Sequence, residues 1–249
     1  MRIPRRDFLS AIAAGAAITL PSVSSTPWDM CRSWSQRESS CAIFDLESRC
    51  LLRESLQGYQ DGLAGKHLLF SAAEMDTAHC CRTAIVPGLG TIDSSLALGL
   101  MDLLDGGTNI ILESGATFLS APEYTWHEEM LNRYFGITIG PPVHLWPATA
   151  ADRSVFPHHP GRDPGREAHG LVPYVNYVWP CETRVRDFSW VIPISAPAAD
   201  VIGTVGAMSV AIKKRARKAT LIFLGSPLGP SLRAGDPEAR SWLRLVTSL

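Results

Sequence analysis

The segment TNIILESGA, residues 108 to 116, decides the fold of this chain. Residues 108 to 112 are predicted to form a strand, and its last three residues, Ile110 to Leu112, are a continuous apolar run of the kind found in strands buried on both faces of a parallel sheet. The run ends at the polar pair Glu113-Ser114, followed by Gly115. The segment therefore predicts an inner parallel strand with polar side chains at its carboxyl end, where ligands bind in open α/β sheets.

Other apolar runs on both sides of this strand alternate with segments of helical periodicity. The predicted elements are strand 41–45, helix 47–63, strands 67–72 and 82–86, helix 94–104, strand 108–112, helix 123–135, strands 186–195 and 201–204, a hairpin turn at 206–209 into strand 210–213, strand 220–224 and helix 236–248. This alternation predicts an α/β fold, with a flavodoxin-like parallel sheet, helices on both faces and a C-terminal β-hairpin addition.

Residues 140 to 183 depart from this pattern, because they are dense in proline and aromatic residues and carry few helical signals. We expect a long irregular insertion there, within one α/β domain that covers residues 40 to 249. Residues 26 to 39 are predicted to be a linker.

The first twenty-five residues have the order of an export signal. Arg5 and Arg6 precede an apolar stretch from Phe8 to Leu20, and small, mostly polar residues follow as far as Ser25. The arginine pair resembles the twin-arginine type of signal. A membrane-spanning helix needs about 20 apolar residues, so the stretch is too short to span, although an uncleaved signal could still act as an anchor. We expect cleavage after Ser25 and a periplasmic or secreted location.

The charge and the cysteines limit the choice of partners and cross-links. The formal net charge of −1 gives no support to nucleic-acid binding, and the basic run Lys213 to Lys218 is interpreted as a solvated hairpin rather than a phosphate-binding patch. An exported protein with six cysteines could form one or two disulfides, but their pairing stays open.

The order of elements resembles that of the class I glutamine amidotransferase-like superfamily. The resemblance is carried by strands ending Ile85-Val86-Pro87-Gly88 and Leu112-Glu113-Ser114-Gly115-Ala116, with a Gly-Gly helix end between them. Residues 206 to 229 are similar to the closing hairpin and strand of the trimerisation domain of β-galactosidases. That domain is a non-catalytic relative with a flavodoxin-like fold, so the resemblance implies the same fold here. Related domains form oligomers, so a homo-oligomer of this chain is also an open alternative.

The catalytic members of this superfamily carry a nucleophilic cysteine at the elbow after this strand, with a histidine and a glutamate near the C-terminus. Here the elbow has Ser114 in place of a cysteine, and no histidine follows His169. The sequence therefore favours a protein without glutaminase activity.

The alternative is a serine hydrolase in which Ser114, beside Glu113, is the nucleophile. Its base would be one of five histidines: His127, His144, His158, His159 or His169. His127 is expected on the following helix, up to about 15 Å from the elbow at 1.5 Å per residue. This arrangement favours a histidine from the insertion.

A ligand site is predicted at the carboxyl ends of the strands, together with the aromatic residues of the insertion. Its ligand would be a small molecule, with carbohydrate as one class, or a protein partner. The candidate ligand-binding residues are Asp45, Gly88, Gly90, Glu113, Ser114, Trp146, Tyr174, Tyr177, Trp179 and Ser226. A buried second core is the competing interpretation of the aromatic residues. No cofactor is implied, and the clusters His79-Cys80-Cys81 and His158-His159 lack the paired spacing of a zinc site.

Overall fold

The computed structural model describes residues 41–46, 53–115, 118, 120–145, 174–186 and 190–248. The expected signal peptide, the linker, Trp146, and the histidines at 158, 159 and 169 lie outside these residues. No helix in the described ranges is long and apolar enough to cross a membrane.

Thirteen strands and five α-helices make up the described secondary structure, with one 3₁₀ and one π segment. The order is β1 (Cys41–Asp45), α1 (Arg53–Gly62), β2 (His67–Ser71), a 3₁₀ helix (Ala72–Cys80), β3 (Thr83–Leu89), α2 (Ser94–Gly106), β4 (Asn109–Ser114), α3 (Ala121–Met130), a π turn (Leu131–Phe135), β5 (Thr138–Ile139), β6 (Val143–His144), β7 (Tyr174–Tyr177), β8 (Thr183–Arg186), β9 (Trp190–Val191), β10 (Ile194–Ser195), β11 (Asp200–Val205), β12 (Met208–Ala216), β13 (Ala219–Leu224), α4 (Gly229–Arg233) and α5 (Pro237–Ser248).

The central sheet has nine strands in the order β2-β1-β3-β4-β13-β12-β11-β7-β8. The first five strands are parallel, and β12, β11, β7 and β8 extend them in antiparallel pairs. Counting only the parallel strands, the order is the 2-1-3-4-5 of the flavodoxin-like fold. The predicted fold class is confirmed.

The sheet separates two hydrophobic cores. On one face, α2, the 3₁₀ helix and the π turn contribute residues such as Leu100 and Leu131. On the other face, α1, α4 and α5 contribute Tyr59, Leu232 and Trp242. Strand β4 contributes side chains to both cores, because Ile110 and Leu112 face one core and Ile111 faces the other. This two-sided burial explains the continuous apolar run at residues 110 to 112.

The C-terminal hairpin is confirmed, with Gly206 in the left-handed region (φ 56°) at the turn between β11 and β12. It lengthens the sheet beside β13. The basic run is also a hairpin, because β12 ends at Ala216 and Arg217 turns the chain (φ 58°) into β13.

The predicted continuous strand over residues 186 to 195 is wrong. Residues 190–191 pair with β6, and residues 194–195 pair with β5, in two separate two-stranded sheets. Pro193 stands between them, and a proline has no N–H group with which to continue a ladder. The Pro193 carbonyl instead accepts a hydrogen bond from Gly140 N at 2.7 Å. The strands β7 and β8, within or at the end of the expected irregular insertion, were not predicted.

Candidate functional site

Glu113 joins three segments at the carboxyl end of β4. Its side chain is fully buried, and its Oε1 accepts a hydrogen bond from Gly88 N at 3.1 Å. Its Oε2 accepts from Leu228 N at 2.9 Å and from Gly229 N at 3.1 Å. Glu113 therefore connects β4 to the bend in β3 and to the loop that leads into α4.

Glycines allow the backbone to approach this carboxyl closely. Gly88 has a φ of 54°, in the left-handed region that side chains disfavour. A Cβ at Gly229 would lie 2.2 Å from Ser55 Cα, and one at Gly58 would lie 1.9 Å from the Gly229 carbonyl oxygen. Helix α1 and the start of α4 are thus in direct backbone contact beside Glu113.

Two hydroxyl groups of α1 face the same carboxyl. Burial raises the pKa of Glu113, whereas Ser55, Tyr59 and the backbone N–H groups act to lower it. Burial, and then the charge of Glu113, raise the pKa of Tyr59 well above its usual value. Neither hydroxyl meets the geometry of a full hydrogen bond within the described residues. Ser55 and Tyr59 lie within the segment that the sequence predicts as helix 47–63, and no sequence pattern links them to Glu113.

The next residue, Ser114, forms a pair with a histidine. Ser114 Oγ lies 3.2 Å from His127 Nε2, and Ser114 Oγ also donates to the Gly115 carbonyl at 3.3 Å. The expectation that His127 lies up to about 15 Å from the elbow is wrong. It assumed a helix that starts at the elbow, but α3 starts only at Ala121 and brings His127 back over Ser114.

The pair lies in an enclosed, apolar setting. Ser114 and His127 are both fully buried, and the ring of Phe118 has its centroid 5.3 Å from that of His127. Burial lowers the pKa of His127 to about 3, so the ring is neutral at physiological pH. Its Nδ1 has no hydrogen-bond partner among the described residues. A catalytic histidine is normally oriented by an acid at this nitrogen, and the nearby Glu113 carboxyl is bonded to the two loops instead.

The other candidates at the strand ends differ in exposure. Gly88, Gly90 and Ser226 are buried, whereas Asp45, at the end of β1, is partly exposed. Asp45 and the bend at Gly88 end the neighbouring strands β1 and β3, which is the switch point where ligands bind in this strand order. The structure therefore brings Asp45, Gly88, Glu113 and Ser114 to one edge of the sheet.

The aromatic candidates do not join this edge as one group. Tyr177 is 2 % exposed and packs on Trp242, with ring centroids 4.8 Å apart, so it belongs to the core as the competing interpretation held. The Arg184 guanidinium lies 4.6 Å from the Tyr174 ring centroid. Trp179 lines a cleft together with Asn109, which starts β4, so it lies at the amino-end edge of the sheet.

The described residues contain no group of three or more histidine, cysteine, aspartate or glutamate side chains that could hold a metal ion. Cys80 Sγ and Cys81 Sγ lie 3.9 Å apart, beyond disulfide bonding distance. His158 and His159 fall outside the described residues, so the absence of a zinc site at this pair stays a prediction.

Comparison with solved structures agrees with the fold. The β-galactosidase of Rahnella sp. R3 matches with a TM-score of 0.57 and 10% identity over 85% of this chain and 32% of that chain. The β-galactosidase of Bacillus circulans sp. alkalophilus matches with a TM-score of 0.55 and 13% identity over 82% of this chain and 31% of that one. The mmIFT52 N-terminal domain matches with a TM-score of 0.54 and 14% identity over 84% and 95%.

The chain thus spans about a third of the length of these β-galactosidases. The likeness agrees, at the level of fold, with the predicted resemblance to a β-galactosidase domain. No protein-family model and no curated protein sequence matches the chain. The resemblance to amidotransferases stays a prediction.

Proposed function

We propose that this protein is an exported, non-catalytic α/β domain that binds a carbohydrate at the carboxyl-end edge of its sheet. The proposal that the domain is non-catalytic rests on the burial of the residues at the end of β4. Glu113, Ser114 and His127 have no exposed surface, and Glu113 holds two loops through backbone hydrogen bonds. A carboxyl group used in this way stabilises the fold, and the described residues supply no other acid that is bonded to the histidine.

The carbohydrate part rests on the kinds of protein that share the fold. Besides the β-galactosidases, an exo-β-1,4-mannosidase with a TM-score of 0.54 and an α-L-fucosidase with one of 0.52 match over about a third of their lengths. A domain of this fold is therefore part of several enzymes that act on sugars. The partly exposed Asp45 at the strand switch point supplies a carboxylate of the kind that accepts sugar hydroxyls. A protein partner at this edge is the alternative occupant.

Thermal unfolding in the presence of galactose, mannose or fucose tests the proposal. Binding to the native state raises the melting temperature in a saturable manner. We expect such a rise with at least one sugar, and we expect Asp45→Asn to reduce it while Asp76→Asn, at an exposed position, leaves it unchanged. A sugar series without any saturable rise, or a rise that Asp45→Asn does not alter, would overturn the carbohydrate site.

Export is a separate part of the proposal. It is supported by Arg5 and Arg6 before the apolar stretch. Changing both arginines to lysine should prevent the mature protein from reaching the periplasm in cell fractionation. Full periplasmic yield of the double variant would show that the twin-arginine assignment is wrong.

The serine hydrolase is a second candidate, favoured by one observation. The 3.2 Å distance between Ser114 Oγ and His127 Nε2 is within the reach of a nucleophile and its base. The pair would need an opening of the surrounding residues to admit a substrate, because both side chains are fully buried.

A further inference from the structure

The cleft lined by Trp179 and Asn109 lies at the opposite end of the parallel strands from Glu113. It has a volume of about 350 Å³, at the lower end of the range for small-molecule sites. Thr83, Asn109 and Thr220, near the starts of the parallel strands β3, β4 and β13, form part of its lining. Trp179 and the cations Lys213, Arg215 and Lys218 also line this cleft, which we call the basic cleft.

Strand alternation places positive charge in the basic cleft. Lys213 and Arg215 are two residues apart on β12 and therefore face the same side, and Lys218 follows from the turn. Lys214 faces the other side, where its Nζ donates to the Phe135 carbonyl. The basic run is thus divided between two faces of the hairpin, and three of its cations share one cleft.

These cations are only partly neutralised. Lys213 Nζ lies 3.3 Å from Asp200 Oδ2 and 4.7 Å from the ring centroid of Trp179, which fixes the ammonium over the aromatic face. The structure shows no acidic partner for Arg215 or Lys218 within the described residues. Arg215 and Lys218 are exposed, so their charge is available to a ligand.

A buried hydroxyl group in the lining points independently to a polar ligand. Thr83 is 1 % exposed, and its Oγ1 has no hydrogen-bond partner in the described structure. An unsatisfied buried hydroxyl group lowers the stability of the fold, and a ligand oxygen that accepts its hydrogen bond would relieve this cost. Asn109 lies opposite Thr83 in the register of β3 and β4. Its Oδ1 accepts a hydrogen bond from Thr220 N at 3.0 Å, which leaves the amide NH₂ group as a donor.

We propose that the basic cleft binds a small phosphate or sulfate ester. Arg215 and Lys218 would contact the oxyanion with charge-assisted hydrogen bonds, and Thr83 and Asn109 would meet its polar groups deeper in the cleft. The volume leaves room for a ring of sugar size beside the oxyanion. The proposal is independent of the site at the carboxyl-end edge, because the two sites lie at opposite ends of the parallel strands.

Isothermal titration of the full chain with glucose 6-phosphate, glucose 6-sulfate, inorganic phosphate and glucose tests this proposal. We expect saturable binding of at least one ester, weaker binding of inorganic phosphate and none of glucose at this site. The affinity should fall with added salt, because exposed charges are screened. The two esters distinguish a phosphate from a sulfate ligand.

The hairpin offers a matched pair of variants. Arg215→Gln should weaken ester binding by at least about tenfold, since it removes a charged donor from the cleft. Arg217→Gln makes the same change in the same hairpin, but Arg217 is paired with Asp105 at 3.9 Å and is not part of the cleft lining, so binding should be unchanged. Thr83→Val should weaken binding several-fold without unfolding the protein.

Three results would overturn the basic cleft as a site. They are the absence of saturable binding by either ester, an equal effect of Arg215→Gln and Arg217→Gln, and undiminished binding in Thr83→Val. The first result would mean that the cations are surface charge without a binding site. The second would mean that ester binding depends on the net charge of the hairpin and not on the position of Arg215 in the cleft.

Discussion

Glu113 is the residue on which the strand-end edge depends. It is fully buried, and it accepts backbone hydrogen bonds from Gly88, Leu228 and Gly229. These donors belong to segments far apart in sequence, so the carboxyl group fixes where β3, β4 and α4 meet. The residue type suits this task, because two oxygens can accept more bonds than an amide could.

Replacing Glu113 with glutamine should lower the free energy of unfolding by about 1–3 kcal/mol, because the new NH₂ group faces backbone donors. Chemical denaturation at pH 7 measures the change. Glu129→Gln makes the same substitution at an exposed position of α3 and should stay within about 0.5 kcal/mol of the native protein. Equal effects of the two variants would remove the structural role of Glu113.

His127 should make stability depend on pH. Its pKa is about 3 in the folded protein and about 6.5 in an unfolded chain, so the unfolded state binds the proton more strongly. The stability due to the neutral ring is fully present above pH 6.5 and is lost as the pH falls towards 3. The loss is about 1.4 kcal/mol per pH unit below about pH 6.

His127→Phe removes this titration and keeps an aromatic ring beside Phe118. The free energy of unfolding, measured by denaturation between pH 7 and pH 4, should therefore fall more steeply with falling pH for the native protein than for the variant. Parallel pH dependences would contradict the burial of a neutral His127.

At the scale of the elements, helices α1 and α4 are in close backbone contact. Gly58 is in the interior of α1, and its missing side chain lets the helix touch the backbone at Gly229. This contact positions the N–H groups of Leu228 and Gly229, from which the Glu113 carboxyl accepts hydrogen bonds. The site is therefore held by helix packing as well as by hydrogen bonds.

Gly58→Ala should lower the free energy of unfolding by more than about 2 kcal/mol, because the new Cβ would overlap the Gly229 carbonyl and the rigid backbone must shift. Gly62→Ala on the same helix is the control. Its Cβ would meet methyl groups of Leu232 and Leu243 at 3.1 Å, and these flexible side chains can move, so the change should cost less than about 1 kcal/mol. If Gly58→Ala were as stable as Gly62→Ala, the close contact would not exist.

For the whole molecule, the parallel half of the sheet could be predicted from the sequence because its inner strands contain apolar runs that are buried on both faces. The run at residues 110 to 112 has this form and is buried on both faces. The strands β7 and β8 could not be predicted, since they lie in a segment rich in aromatic and polar residues. They pair with each other and join the sheet where β7 pairs with β11, which is distant in sequence. Local pattern carries no information on such a long-range partner.

The site shows the same division. Glu113 and Ser114 were predicted from their place after a strand, but the pairing of Ser114 with His127 depends on how a loop returns α3 to the sheet. The separation of Trp179 from the strand-end edge depends likewise on the course of the insertion. Sequence spacing gives neither distance.

The absence of catalysis is the central claim, and a turnover assay tests it most directly. Purified protein and Ser114→Ala are incubated with a panel of ester, amide and glycoside substrates. Because the Ser114–His127 pair is enclosed and lacks an orienting acid among the described residues, we predict no turnover by the native protein above that of the variant. Turnover by the native protein that disappears in Ser114→Ala would contradict the claim and establish Ser114 as a nucleophile.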